Sequence, residues 1–213
     1  MQISKLKKSE LLRLAKSHCR HWHTYLSHFS CYEKEVGLPA KKVLLYDLET
    51  LPNRGAFWGA RWETDVIEIE NYGRILCFAA QWVGSKKIMF FGWNEKEVVR
   101  NLYRLFSEAD EVVAHNNRAF DWKWSNVAFA KYGFPQVSPK VIDTKLESKK
   151  RWYLPSYSLN DISDYFGLGQ KISHEGYSLW KKCEAGDKKA RKQMELYNKR
   201  DLELLEKLYL KLK

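Results

Sequence analysis

The chain has 213 residues, 45% hydrophobic and 30% charged, with a formal net charge of +11. That balance describes a globular protein with a basic surface rather than a disordered chain. No apolar run approaches the roughly 20 residues of a membrane-spanning helix, no apolar h-region with a cleavage site opens the chain, and four irregularly spaced cysteines do not form a disulfide framework, so a reducing cytoplasmic setting without membrane attachment is expected.

In chain order, residues 1–40 read as a basic appendage. Ile3 to Leu14 has the period of an amphipathic helix, with Ile3, Leu6, Leu11, Leu12 and Leu14 apolar. The segment CRHWHTYLSHFSC follows, packing Cys19, His21, His23, His28 and Cys31 into thirteen residues although the chain holds only six histidines. Cys19, His23, His28 and Cys31 would suit a tetrahedral structural zinc, with His21 as a substitute ligand. A small zinc module could fold an appendage too short for its own core. The spacing matches no standard finger, and surface histidines beside partly buried cysteines are the alternative. A Gly-Leu-Pro break at 37–39 ends the appendage.

A second domain is expected over 41–213. Val43 to Leu48 is a short apolar run suited to a buried strand, and Pro52 to Tyr72 reads as a long connection. Arg74 to Val83 and Lys86 to Trp93 read as a hairpin around a Gly-Ser turn. A helix over 95–106, a strand over 111–115, a helix over 119–132 and a fifth strand over 140–143 follow. Three further helices are expected: 159–166 after Ser158, a short one over 178–184 and a long one over 188–212. The pattern predicts an α/β domain, a mixed five-stranded sheet flanked by helices.

Four acids and a tyrosine stand out against this background. Residues two apart in a strand share a face, so Asp47 and Glu49 point together at the end of the first strand. Residues four apart in a helix share a face, so Tyr197 and Asp201 project together from the last helix. Asp121 falls in the first turn of the helix after the strand that ends at His115. Four hard-oxygen donors suffice for two Mg2+ or Mn2+ ions about 4 Å apart, the arrangement that catalyses phosphodiester hydrolysis. Tyr197 would orient or activate the attacking water. Each piece alone has an ordinary reading: strand-end polarity for Asp47 and Glu49, a helix-start acid for Asp121, packing for Tyr197 and a solvated face for Asp201. An acidic spot in a basic protein nevertheless fits an enzyme that grips a polyanion. Thirty-seven Lys and Arg and nine Trp fit a partner with phosphates to neutralise and bases to stack.

The ordered set resembles the DEDD superfamily of 3′–5′ exonucleases, which have the ribonuclease H-like fold. D-x-E corresponds to Asp47 and Glu49, H-N-x-x-x-F-D to His115, Asn116, Phe120 and Asp121, and Y-x-x-x-D to Tyr197 and Asp201. A tyrosine four residues before the last aspartate marks the DEDDy branch; the DEDDh branch has histidine five before, where Leu196 stands here. RILCFAAQWVG, VIDT and the segment from Gly176 to the C-terminal lysines resemble stand-alone phage and bacterial exonucleases related to the proofreading domain of family B DNA polymerases. The resemblance covers about residues 43–213. It implies that Asp47, Glu49, Asp121 and Asp201 bind the metals, that Asn116 contacts the strand near its 3′ end, with Phe120 in the same motif, and that Thr50 and Leu51 lie beside the terminal nucleotide. No polymerase accompanies the domain in these residues, so proofreading in cis is not expected. The connection 52–72 departs from the pattern; its Phe57, Trp58, Trp62 and Tyr72 either stack bases at the mouth of the site or pack over the sheet edge.

The expected function is two-metal 3′–5′ exonucleolysis, with single-stranded DNA or a 3′ end as partner, alongside replication or repair proteins that the sequence does not specify. A ribonuclease of the same chemistry and a non-catalytic nucleic-acid-binding protein are the alternatives. Asp143, at a strand end near the site, is expected to be structural, and Cys77 and Cys183 to pack in apolar surroundings.

Overall fold

The computed structural model describes residues 41–58 and 65–213. The Cys19, His23, His28 and Cys31 set with His21, the amphipathic segment 3–14 and Trp62 lie outside the described residues.

The site rests on β1 (Val43–Leu51), the central strand of a five-stranded sheet. Its sequence alternates two apolar sets. Leu44, Tyr46 and Leu48 pack on one side with Phe78, Leu102 and Phe106, while Val43 and Leu45 pack on the other with Leu202, Leu205 and Tyr209. A strand with both faces buried is expected at the centre of a sheet covered on two sides. β4 (Arg74–Trp82) pairs antiparallel with β1, and β5 (Met89–Gly92) pairs antiparallel with β4. β6 (Glu111–Ala114) pairs parallel with β1, and β7 (Lys140–Asp143) parallel with β6, so the order is β5-β4-β1-β6-β7. This is the expected mixed sheet of five strands.

One layer of helices comes from α1 (Glu95–Glu108), capped by Asn94, and α2 (Asp121–Lys131). Val98, Val99, Leu102, Leu105 and Phe106 of α1 face the sheet at helical spacing. The opposite layer is α6 (Lys188–Lys211), whose N-terminus is capped by Asp187 accepting the N–H groups of Lys189 and Ala190. Between β7 and α6 lie α3 (Thr144–Arg151), α4 (Leu159–Tyr165) and α5 (Tyr177–Glu184). Ser158 caps α4 through the Asp161 N–H, as its position before the apolar period suggests.

Three elements differ from expectation. The connection 52–72 contains a two-stranded ribbon, β2 (Arg54–Phe57) with β3 (Val66–Asn71), and every residue of β3 is exposed. The ribbon has no buried face to impose a hydrophobic alternation, so its sequence reads as loop. The helix expected from 119 begins at Asp121, because Asn116 takes a left-handed conformation (φ 69°) and residues 115–120 form a turn. The octapeptide of α3, TKLESKKR, has no apolar stripe to announce it. The helix is started by its cap, Asp143, which accepts from the Lys145 and Leu146 N–H groups.

Candidate active site

Asp47 and Glu49 extend from the face of β1 that meets α6, and α6 supplies Asp201. One carboxylate oxygen from each lies within 4.8 Å of the others. A β-bulge sits beside them: Glu49 pairs with Cys77 but Thr50 pairs with Ile75, leaving Leu76 of β4 as the extra residue. Such a bulge increases the local twist and re-aims side chains at a strand end. Asn198 ties the two elements together, its Nδ2 donating to Asp47 Oδ2 at 2.6 Å and to the Asp47 carbonyl at 3.2 Å. Asn198 stands three residues before Asp201, so one face of α6 carries both.

Asp201 is buried, and Lys171 Nζ donates to its Oδ2 at 2.6 Å. Its Oδ1 is buried without a hydrogen-bond partner. A carboxylate oxygen in that position is a costly feature for a protein unless a cation or proton meets it. Tyr197 lies one helical turn earlier. Its ring is bordered by the Lys171 ammonium at 5.5 Å and by the rings of His174 at 4.8 Å and Trp180 at 6.2 Å.

Asp121 stands at the start of α2, with its Oδ1 accepting the Leu48 N–H at 3.1 Å. It is thus docked on the backbone between Asp47 and Glu49, next to the three-carboxylate group rather than within it. The turn before it is held from below. Asn117, fully buried, accepts from the Tyr46 hydroxyl at 2.5 Å and donates to the Ile142 carbonyl at 2.9 Å and the Val112 carbonyl at 3.3 Å. Asp143 accepts the backbone N–H groups of Asn116 and Arg118 while capping α3, the structural role expected of it. His115 bonds Thr144 Oγ1 and the Tyr157 carbonyl, and burial pushes its pKa down to about 4, so it is a neutral anchor of the loop 152–158.

The charges are mutually hostile. Burial, then the Glu49, Asp201 and Asp121 carboxylates, push Asp47 well above the usual carboxylate range, with Lys171 opposing them. Burial and Asp201 push Glu49 up to about 8, again against Lys171. Burial raises Asp121 to about 7, although the Leu48 N–H favours its anion. Burial and the same carboxylates hold the Tyr197 phenol far above its ordinary value, so the hydroxyl keeps its proton. Crowded carboxylates, one with a partnerless oxygen, form a hard-oxygen donor set that fits Mg2+ or Mn2+.

An open cleft of about 630 Å3 adjoins the carboxylates, lined by Thr50, Pro52, Asn53, Phe120, Trp124, His174, Gly176, Tyr177 and Trp180. Thr50 and Phe120 therefore stand where a substrate strand could reach them. Leu51 does not. It is 2% exposed and packed with Leu76, Leu179 and Met194, so its side chain belongs to the core rather than to a nucleotide contact. The side chain of Asn116 accepts from Lys145 Nζ at 3.3 Å and is not part of the cleft wall. Phe57, Trp58 and Tyr72 are 58%, 85% and 77% exposed. Cys77 and Cys183 are buried in the apolar cluster of Leu51. Sequence reasoning missed Asn198, Lys171, His174 and Trp180. The helical spacing to Asp201 was a usable signal for Asn198. The other three lie in an irregular stretch and a short helix with no period linking them to the acids.

No curated protein sequence matches the chain. Among solved structures, the family B DNA polymerase from the hyperthermophilic archaeon Pyrobaculum calidifontis is similar, with a TM-score of 0.61 at 17% identity, over 82% of this chain and 25% of that one. The chain thus spans about a quarter of the polymerase's length, and the likeness is one of fold. The model of the RNase H superfamily matches residues 62–213, beginning after the acidic end of β1 and running through Asp121, Tyr197 and Asp201. With that match over well more than half of its length, and the mixed sheet in place, the chain belongs to the RNase H superfamily.

Proposed function

We propose that the protein is a metal-dependent 3′–5′ exonuclease of the DEDDy type that releases nucleoside 5′-monophosphates from single-stranded DNA. Superfamily membership supports nuclease activity, and with it nucleic acid as substrate and divalent metal as cofactor. The observation that carries the finer reading is the meeting of Asp47, Glu49 and Asp201 within 4.8 Å, with Tyr197 one turn before Asp201.

Asp47, Glu49 and Asp201 would hold one cation, and Asp121 with Asp47 a second. When bound, such cations supply a nucleophilic water near neutral pH and stabilise charge on the leaving oxygen. The chain's own groups do the rest. The Tyr197 hydroxyl, kept neutral by its surroundings, orients the attacking water as a hydrogen-bonding group rather than as a base. Lys171 neutralises one oxygen of Asp201 and leaves the other for the cation. Asn198 fixes the Asp47 carboxylate against β1. Thr50 and Phe120 contact the terminal nucleotide in the adjoining cleft, where the aromatic walls suit an unpaired base.

The test uses 5′-labelled and 3′-labelled single strands with Mg2+ or Mn2+. The 5′-labelled strand should shorten progressively while the 3′ label appears at once as a mononucleotide. Asp47→Ala and Asp201→Ala should abolish both. Undiminished or chelator-insensitive digestion by these variants would sink the mechanism. Matched RNA in the same assay decides the sugar preference.

A further inference from the structure

A second cleft, about 610 Å3, shares Asn53 and Trp124 with the first and is also lined by Tyr72, Gly73, Lys123 and Val127. One face of α2 serves both, since residues three and four apart on a helix stand together: Phe120 and Trp124 at the first cleft, Lys123, Trp124 and Val127 at the second. The Trp124 wall is built, not incidental. A Cβ on Gly73 would come within 2.8 Å of Trp124 Cη2 and 2.6 Å of the Leu51 carbonyl, so only glycine lets the indole edge rest there. Asn53 Oδ1 holds Gly73 by accepting its N–H at 2.6 Å.

The rest of the second cleft is unspent surface. Tyr72 is 77% exposed and Val127 62%, so this cleft turns an aromatic ring and an aliphatic side chain to solvent. Lys131 is engaged by Glu95 at 2.8 Å, whereas Lys123 has no carboxylate partner among the described residues. An aromatic face, an indole edge and an uncommitted ammonium, continuous with the cleft beside the carboxylates, match the repeating unit of a nucleic-acid strand. A base can lie on an aromatic ring only when it is free of a duplex, so the ligand is an unpaired strand.

We propose that the second cleft is a subsite for the nucleotide upstream of the one removed, with its base against Tyr72 and Trp124 and its phosphate at Lys123. The polarity, though not the site itself, rests on the exonuclease reading. The experiment compares Tyr72→Ala and Lys123→Ala with the unsubstituted full chain, using 5′-labelled oligothymidylates. Both side chains are exposed, and thermal melts check that the variants fold. With divalent metal, the ratio of kcat/KM for the octanucleotide to that for the p-nitrophenyl ester of thymidine 5′-monophosphate, which has no upstream nucleotide, should fall about tenfold in Tyr72→Ala, the loss expected for one stacked base. With metal chelated, octanucleotide affinity should weaken by a similar factor. Lys123→Ala should lower the slope of log affinity against log salt by about 0.7, one phosphate contact on a single strand. Unchanged ratio, affinity and salt slope in both variants would overturn the subsite. Absence of cleavage by the unsubstituted chain would end the exonuclease reading, and the chelated binding measurements would still decide the subsite.

Discussion

Raising the pH of the metal-free protein should destabilise it, and divalent metal should reverse the effect. Glu49 is pushed from an ordinary 4.5 to about 8, and Asp121 from 3.8 to about 7. Below the ordinary values both carboxyls are protonated whether the chain is folded or unfolded, and there is no penalty. Between those values and the raised ones, the folded chain holds protons that the unfolded chain has released. Stability therefore falls as pH rises, by about 1.4 kcal/mol per pH unit for each proton so held. One proton held across three units amounts to a loss on the order of 4 kcal/mol, complete once pH passes the raised values. A divalent cation binds the ionised carboxylates, so its apparent affinity rises through the same window as protons leave. At a hundredfold excess over its Kd it restores about 2.7 kcal/mol. Urea denaturation at about pH 5.5 and about pH 8.5, with chelator and with Mn2+, measures both arms of this linkage. Glu49→Gln should flatten the metal-free dependence. Metal-free stability that is level or rising across the window, or an equal metal increment at both pH values, would refute the reasoning.

Three further outcomes follow from single contacts. Tyr197→Phe should lower kcat about a hundredfold with melting temperature and KM retained, and it should not move the pH profile, because the phenol stays neutral. Asn117→Ala removes an acceptor from the Tyr46 hydroxyl and a donor from the Ile142 carbonyl in the core and should cost about 2–4 kcal/mol in urea denaturation. Leu51→Ala should cost about 2–5 kcal/mol of stability, as for a core leucine; a loss of substrate affinity with full stability would restore the nucleotide contact expected from sequence.

The sheet was legible because its strands carry their own period. The two apolar sets of β1 and the run from Arg74 to Trp82 could satisfy little else, and long α6 announces itself by its stripe. The ribbon at 54–71 and α3 were not legible, since neither buries a periodic apolar face. Leu51 shows the limit of carrying a role over from a resemblance: the motif implied a place beside the terminal nucleotide, but the odd-numbered side of β1 that carries the acids also runs beneath α5 and α6, where Leu51 meets Leu179 and Met194.

By itself the sequence determined which acids share a face, because strand and helix periods are local properties of the chain. Asp47 with Glu49 and Tyr197 with Asp201 follow from spacing alone. Only the tertiary structure decided that three of the four acids come within 4.8 Å while Asp121 docks on the Leu48 N–H beside them. It also decided that Lys171, remote from every motif, answers Asp201. The reason is that the distance between elements depends on how the sheet twists and which helix covers it, and here a bulge at Leu76, a buried Asn117 and the bridge from Asn198 to Asp47 set that distance.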